Sequence, residues 1–216
     1  SQLNIGGTGI GVFNDRLRDG VRGGSAFEGL QQQGFINGLY DAPNASANED
    51  AEGQRRRLME YGDWIKIGLA GNLSDYPLTD RFGRRLRGGD LDYKGQPTGY
   101  TADPQENVLY VSAHDNETLF DAIQLKAPAS ASLAERSRMQ TLGLSLVLLG
   151  QGLPFIHAGD EILRSKSFDR NSYQSGDWFN HIDFTLESHI FGIGLPPEWD
   201  NRSRWEVEGP LLANAA

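Results

Sequence analysis

The chain has 216 residues, of which 20 are Lys or Arg and 29 are Asp or Glu, so its formal net charge is −9. This acidic balance argues against general binding to nucleic acid, which requires clustered basic side chains, and no apolar run approaches the roughly 18 residues of a membrane span. The absence of cysteine excludes disulfide scaffolds, thiolate catalysis and Cys-based zinc sites. Residues 1–10 lack the basic start and apolar core of a signal peptide, and the sequence does not begin with Met, so the compartment stays open.

The first 48 residues predict one short regular element between two loops. Residues 1–11 are rich in glycine and predict an irregular entry loop. Residues 13–21 predict a strand end or a helix capped at Asn14 or Asp15 and stopped by the glycine pair that follows. Residues 29–48 are polar and interrupted by proline, which predicts a surface loop.

A helix and a long connection come next. Residues 49–69 carry apolar side chains at helical spacing, which predicts an amphipathic helix ended by Gly71. Residues 72–107 contain repeated glycine and proline, and a connection of this length is usually functional in a compact domain.

Two strand–helix units follow. Residues 107–112 predict a short buried strand, and residues 117–125 predict a helix. Residues 133–149 predict a long helix whose second half is nearly all apolar, hence buried, and residues 153–157 predict a second buried strand. This order is typical of a parallel α/β sheet or barrel. After residue 162 the chain is loop-like and aromatic.

Polar residues follow the first of these strands, where parallel α/β folds carry their working groups. His114 and Asp115 stand there side by side, and such a pair is suited to binding sugar hydroxyls by charge-assisted hydrogen bonds. An ionised Asp115 also suits stabilisation of an oxocarbenium-like transition state. The alternative is that the two residues cap the following helix and bond each other, and the sequence leaves both interpretations open.

The second predicted strand ends at His157, and Asp160 and Glu161 follow it closely. The two carboxylates lie where a helix N-terminus favours negative charge, so the structural interpretation is preferred for them.

The loop that follows mixes charged, amide and aromatic groups, a combination typical of carbohydrate sites that also occurs by chance on surface loops. The four histidines form no HxxxH or HExxH pair, so a metal site is poorly supported.

Seven segments carry a resemblance to a known family. They are residues 11–24 (GVFNDRLRDGVRGG), 110–119 (YVSAHDNETL), 151–161 (QGLPFIHAGDE), 163–173 (LRSKSFDRNSY), 175–180 (SGDWFN), 192–197 (GIGLPP) and 210–214 (PLLAN). In this order they resemble the carboxyl-terminal half of the catalytic barrel of pullulanase-type (limit-dextrinase-like) debranching enzymes, in the α-amylase superfamily. The resemblance implies an α/β fold: the C-terminal part of a (β/α)8 TIM barrel, roughly strand–helix units six to eight, with long loops. Residues 1–216 would then be a single partial barrel domain, with upstream strands and a downstream β-sandwich domain outside it.

The resemblance also implies an activity and a set of site residues. The activity is hydrolysis of α-1,6-glucosidic branch linkages in pullulan, amylopectin and limit dextrins by a retaining mechanism. Asp115 would stabilise the transition state and His114 would bind the sugar. Candidate substrate contacts are Asn116, Arg164, Asp169, Arg170 and Asn171. The implied partners are an α-glucan and the rest of the chain's own barrel, with no cofactor indicated and calcium left open for an intact enzyme.

One departure from the family pattern qualifies this expectation. A retaining glycosidase needs two carboxyl groups about 5–5.5 Å apart, and in the family both lie upstream of the position where Ser1 aligns. A full barrel also takes about 250 residues. The chain is therefore expected to be a fragment that lacks nucleophile and acid/base and is inactive alone. The alternative is a non-catalytic α-glucan-binding module; an interaction protein that kept an old fold would leave the aromatic loop unexplained.

Overall fold

A computed structural model describes residues 2–27 and 29–214. The α-helices are α1 (Asp15–Arg22), α2 (Ala51–Leu69), α3 (Leu119–Lys126), α4 (Leu133–Leu149), α5 (Glu198–Asn201) and α6 (Trp205–Ala213). The strands are β1 (Val12–Phe13), β2 (Pro77–Thr79), β3 (Arg85–Arg87), β4 (Asp92–Tyr93), β5 (Gln96–Pro97), β6 (Asn107–Leu109) and β7 (Leu153–Pro154). Short 3₁₀ helices cover Gln2–Asn4, Gly88–Asp90, Pro104–Glu106, Asp160–Ile162, Ser172–Gln174, Asp177–Phe179 and Arg202–Arg204. None of the helices in the described part of the chain is long and apolar enough to cross a membrane.

A three-stranded parallel sheet in the order β1–β6–β7 organises the chain. Phe13 pairs with Val108, and Val108 in turn pairs with Leu153. Helices α1 and α2 connect β1 to β6, and α3 and α4 connect β6 to β7. Because parallel neighbours require such crossover connections, strands and helices alternate as the sequence predicts. The parallel α/β organisation is confirmed.

The main core lies between one face of this sheet and the helices. Leu109 and Val111 extend from β6 toward α1, α3 and α4 and are at most 1% exposed. Their partners are Leu17, Val21, Ile36, Ile65, Leu119, Ile123, Ala127 and Val147. Burial of this kind stabilises a fold by roughly 25 cal/mol per Å² of apolar surface removed from water.

The opposite face of the sheet is also apolar but stays partly accessible. Side chains alternate between the two faces of a strand, so Phe13, Tyr110 and Phe155 share this second face. Their rings form one cluster, with centroids 4.7 Å apart for Phe13–Tyr110 and 5.1 Å for Phe13–Phe155. Phe13 is nevertheless 42% exposed and Leu153 is 51% exposed.

The start and end of α1 agree with the prediction. The Asn14 side chain accepts a hydrogen bond from the Leu17 N–H, which satisfies one of the free donors of the first turn. Gly23 ends the helix with φ 81°. A Cβ at this position would collide with the backbone of Gln33 and Gly34, so only glycine fits.

Two predicted loops contain more structure than their composition indicates. Residues 29–48 form turns as expected, but Ile36 and Leu39 are each only 5% exposed and join the cores, so this segment is not simply a surface loop. Residues 72–107 contain the antiparallel hairpins β2–β3 and β4–β5, which tie the long connection together.

The predicted burial of the second half of α4 and of residues 153–157 holds for only some of their side chains. In α4 the buried stripe is Gln140, Gly143 and Val147, whereas Leu148 and Leu149 are 60% and 79% exposed. Strand β7 is likewise exposed along its length. Apolar composition shows that a segment can be buried, but the position of the neighbouring elements decides which side chains are covered.

Candidate functional site

The carboxyl ends of β6 and β7 meet at one edge of the sheet and are joined by a buried hydrogen bond. Ser112, just after β6, donates from Oγ to Oδ2 of Asp160 at 2.5 Å. Asp160 opens the 3₁₀ turn that follows β7, and burial raises the pKa of its carboxyl to about 6 against the hydrogen bond from Ser112. Asp160 and Glu161 occupy a first helical turn, as the structural interpretation predicts, and Asp160 also fastens the two strand ends together.

His114 and Asp115 project into solvent beyond this bond. Their side chains are 83% and 69% exposed, and His114 Nδ1 lies 3.0 Å from Asp115 Oδ1. The next residue, Asn116, has a left-handed backbone with φ 61°, which turns the chain toward α3.

Thr118, and not His114 or Asp115, caps α3. Its side chain accepts the N–H of Asp121 at 3.1 Å. The capping alternative for the His114–Asp115 pair is therefore wrong, although the two side chains do lie in contact, as that alternative also expected. Their exposed groups are left available for other contacts.

Beneath the exposed pair lies a buried ion-pair centre. Glu117 is 6% exposed. Its Oε2 lies 3.2 Å from Arg22 Nη2, and its Oε1 forms a second ion pair with Arg204 Nη1. Burial acts to raise the pKa of Glu117, but the two guanidinium groups outweigh it and hold the pKa at about 2. This ionised carboxylate fastens α1, the β6–α3 turn and the start of α6 to one point.

The loop after β7 reaches back to the same turn. Lys166 is 1% exposed, and its Nζ donates to the backbone carbonyl of His114 at 2.8 Å. Burial lowers the pKa of this ammonium to about 8, against the attraction of Asp121. The contact joins the two strand-end loops directly beside Asp115.

Arg164 is directed toward the end of β7. Its Nη1 lies 3.0 Å from His157 Nε2 and donates to the carbonyl of Ala158 at 2.9 Å. Burial, followed by the positive charge of Arg164, lowers the pKa of His157 to about 4. His157 is therefore neutral near pH 7, and its Nε2 acts as the acceptor of the Arg164 bond.

The remaining predicted substrate contacts lie further along this loop. Asp169 is fully buried, and its Oδ1 accepts the Asn171 N–H at 3.1 Å and the Asn201 amide at 3.2 Å. Arg170 lies 3.6 Å from the carboxylate of Asp200. The structure thus brings Asp169 and Asn171 together and pairs Arg170 with the segment that precedes α6.

Large aromatic rings stand exposed in the same region. Tyr173, Trp178 and Trp199 are 71%, 77% and 51% exposed, and the Tyr173 and Trp199 rings meet edge to face at 6.0 Å.

In the described ranges, no group of three His, Asp or Glu side chains converges in a way that would hold a metal ion.

Sequence reasoning missed the residues that join the two loops, namely Ser112, Asp121 and Lys166. An acidic residue in the first turn of a helix indicates only favourable charge at the N-terminus. A lysine between two serines in a loop is most often solvated. Only tertiary contact distinguishes these residues from ordinary surface positions.

No family model matches the sequence, but the chain has relatives among known proteins. The chain is 50% identical over 213 residues to the chloroplastic pullulanase 1 of Arabidopsis thaliana, covering 98% of this chain and 22% of that protein. It is 48% identical over 213 residues to the pullulanase of Klebsiella pneumoniae, covering 96% of this chain and 19% of that protein. This chain is homologous to a segment of the pullulanases.

Solved pullulanase structures share the fold. The maltotriose complex of PulA from Klebsiella pneumoniae matches with a TM-score of 0.93 at 45% identity, covering 98% of this chain and 23% of that chain. The pullulanase of Bacillus acidopullulyticus matches with a TM-score of 0.58 at 28% identity. This chain spans about a fifth of the length of the pullulanases from Arabidopsis and Klebsiella. The resemblance to pullulanases that its motifs indicate is confirmed.

Proposed function

We propose that this chain forms strand–helix units six to eight, roughly, of a (β/α)8 catalytic barrel in an enzyme that hydrolyses α-1,6 branch linkages of α-glucans with retention. The observation that carries the proposal is the exposed His114–Asp115 pair, joined at 3.0 Å at the carboxyl end of the central strand. Catalytic groups of barrel enzymes occupy this end of the strands. Residues 1–216 are proposed to be one partial barrel domain.

The second face of the sheet supports the barrel. Phe13, Tyr110 and Phe155 cluster there, and alternating inward side chains from several strands fill the interior of a (β/α)8 barrel. The partly exposed rings are proposed to pack against side chains from the barrel's remaining strands. The rest of the barrel is in this sense the chain's first partner.

Within the reaction, Asp115 acts through its charge. Bond cleavage in an α-glucoside builds positive charge on the sugar ring in an oxocarbenium-like transition state. A carboxylate held close to that ring lowers the energy of the transition state more than that of the ground state, which is the condition for raising kcat. In this proposal His114 Nδ1, which lies 3.0 Å from Asp115 Oδ1, orients the Asp115 carboxylate and leaves Nε2 for a sugar hydroxyl.

The other predicted contacts take supporting parts in the proposal. The side chains of Asn116, Arg164, Arg170 and Asn171 are proposed to offer planar donors and amide groups to the substrate, and Asp169 shapes the loop from its buried position. The nucleophile and the acid/base are assigned to a part of the enzyme outside this chain, on the family resemblance. No cofactor enters the proposal.

The test is hydrolysis by the full-length product of the reading frame that contains this chain. Incubation with pullulan is expected to release reducing ends, whereas amylose, which has only α-1,4 bonds, should be left at its original length. Retention is checked by the anomeric signal of the first product in NMR. Binding of pullulan without any reducing ends would contradict the proposal and favour the α-glucan-binding module.

A further inference from the structure

A fully buried lysine lies directly beneath the exposed His114–Asp115 pair. Lys166 is 1% exposed, and its Nζ donates to the carbonyl oxygen of His114 at 2.8 Å. An ammonium group is expensive to remove from water unless it is paired and hydrogen-bonded. The buried position of Lys166 therefore points to a specific role for its ammonium group, because an apolar side chain would fill the same space without the free-energy cost of desolvating a charge.

Asp121 fixes Lys166 from the other side. This carboxylate, fully buried in the first turn of α3, accepts the Ser165 hydroxyl at 2.5 Å and the Lys166 N–H at 2.8 Å. Helix α3 begins immediately after the turn that carries His114 and Asp115. The loop after β7 is thus held to α3 through Asp121 and to the turn after β6 through Lys166.

Both segments have strained backbones beside these contacts. Ser167 and Phe168 have left-handed φ angles of 48° and 67°, and Asn116 has 61°. Such conformations persist in residues other than glycine only where the surroundings enforce them. Here the bonds from Lys166 and to Asp121 lie next to each strained position.

The acceptor of the Lys166 hydrogen bond is a backbone atom next to Asp115. The carbonyl of His114 belongs to the peptide group that links His114 to Asp115, and this group is planar. A hydrogen bond to this oxygen therefore restrains the rotation of the plane that contains the N and Cα atoms of Asp115. After that, only the φ angle of Asp115 and its side-chain torsions determine where the carboxylate points.

We propose that Lys166 is a positioning residue for Asp115: its ammonium holds the His114–Asp115 peptide plane so that the carboxylate is directed at the reacting sugar. The inference rests on the proposed function and deepens it. Lys166 makes no contact with substrate in this scheme, since it is buried under the turn.

The first test compares Lys166→Met with the wild type in the full-length protein on pullulan. Met fills the cavity but donates no hydrogen bond. We expect kcat to fall about 10–100-fold, because misplacing a group by about 1 Å can cost 10²-fold in rate, while KM changes less than threefold. A kcat within twofold of wild type in the folded variant would overturn the proposal.

A double-mutant cycle identifies the residue through which Lys166 acts. If Lys166 acts by aiming the charge of Asp115, Lys166→Met should cost less than threefold in kcat when Asp115→Asn is already present, because residues that act as a unit are not additive. A full multiplicative loss in the double variant would overturn the proposal, since Lys166 would then act independently of Asp115.

Two further variants separate positioning from stability. Lys166→Met combined with Asp121→Asn leaves no titratable carboxyl group buried beside the missing ammonium, and the same loss of kcat is expected in this double variant. Lys126→Met is the matched control, since Lys126 is also buried and donates to a backbone carbonyl, that of Gly23. It should lower Tm comparably and leave kcat within twofold; an equal loss of kcat in this control would overturn the proposal.

Failure of the inference and failure of the proposed function give different results. A damaged Asp115→Asn enzyme with an unaffected Lys166→Met enzyme overturns only the positioning role. An unaffected Asp115→Asn enzyme overturns the proposed role of the pair, and the inference with it.

Discussion

Asp115 is the residue whose charge the proposed mechanism depends on most. Asp115→Asn keeps the shape of the side chain and removes the charge, so kcat on pullulan is expected to fall by about 10²–10⁴, the scale for loss of one preorganised electrostatic partner. KM should change far less, because the charge acts on the transition state. His114→Ala should weaken both kinetic constants, since a hydroxyl contact is made before and during cleavage. Steady-state kinetics of the full-length protein check both expectations.

The melting temperature of the Asp115→Asn variant is the control for these kinetics. Thr118 caps α3, and Asp115 is 69% exposed, so Asp115→Asn should leave Tm within about 1 °C of wild type, as surface substitutions usually change stability by less than 0.5 kcal/mol. A folded Asp115→Asn enzyme with wild-type kcat would remove the catalytic assignment.

At the scale of elements, α6 carries a buried acid that makes its docking depend on pH. Glu208 is fully buried, and neither carboxylate oxygen has a hydrogen-bond partner among the described residues. Burial raises the pKa of Glu208 to about 8, against the attraction of Arg204, with Glu117, Asp121 and Asp169 adding to the rise. The docked helix therefore keeps a proton that the released helix gives up near its ordinary pKa of 4.5.

The sign of the effect follows from this difference. Between about pH 4.5 and pH 8 the docked state binds more protons, so its stability falls as the pH rises through this window. Glu208→Gln removes the titration, so the stability of the docked α6 should be the same at pH 5 and pH 8 in the variant, whereas the wild type loses at most about 1.4 kcal/mol per pH unit across this window. Hydrogen exchange of the α6 amides at pH 5 and pH 8 measures the stability of the docked helix. Glu206→Gln, on an exposed position of the same helix, is the control, and an equal change in stability on Glu208→Gln at both pH values would contradict the assignment.

At the scale of the whole molecule, the sheet exposes two edges. Strands β1 and β7 are the outer strands of the β1–β6–β7 sheet, and unpaired strand edges favour association. The aromatic second face and the exposed leucines of α4 add apolar surface. The 216-residue chain alone is therefore expected to be marginally stable and to associate as its concentration rises. Light scattering with a dilution series tests this, and a dilute monomer with a sharp, reversible unfolding transition would contradict it.

The same chain alone is expected to be inactive on pullulan. In the proposed mechanism Asp115 stabilises charge but does not form or break the glycosidic bond, and retaining cleavage requires two further carboxyl groups. A reducing-end assay checks the expectation, with the Asp115→Asn form of the same chain as a control for contaminating hydrolase. Activity above that control would place the nucleophile within residues 1–216 and contradict the assignment.

Local signals in the sequence determined the helices and the family. Ser132 and Glu135 form the capping box that starts α4 where the sequence places it, and Gly23 ends α1 because no side chain fits there. The order of strands and helices then fixed the parallel sheet, since each crossover needs a helix. The position of His114–Asp115 after a buried strand was likewise visible, because parallel strands present their carboxyl ends at one edge.

Contacts between distant segments were decided only by the tertiary structure. The apolar second half of α4 predicts burial, but the neighbouring elements fully cover only the stripe through Gly143 and Val147. Lys166 and Asp121 look like ordinary surface residues until the loop after β7 folds across the turn after β6. The physical reason is that sequence patterns report which side chains favour burial or charge, whereas the partner that covers, pairs or orients each of them is set by chain segments far away in sequence.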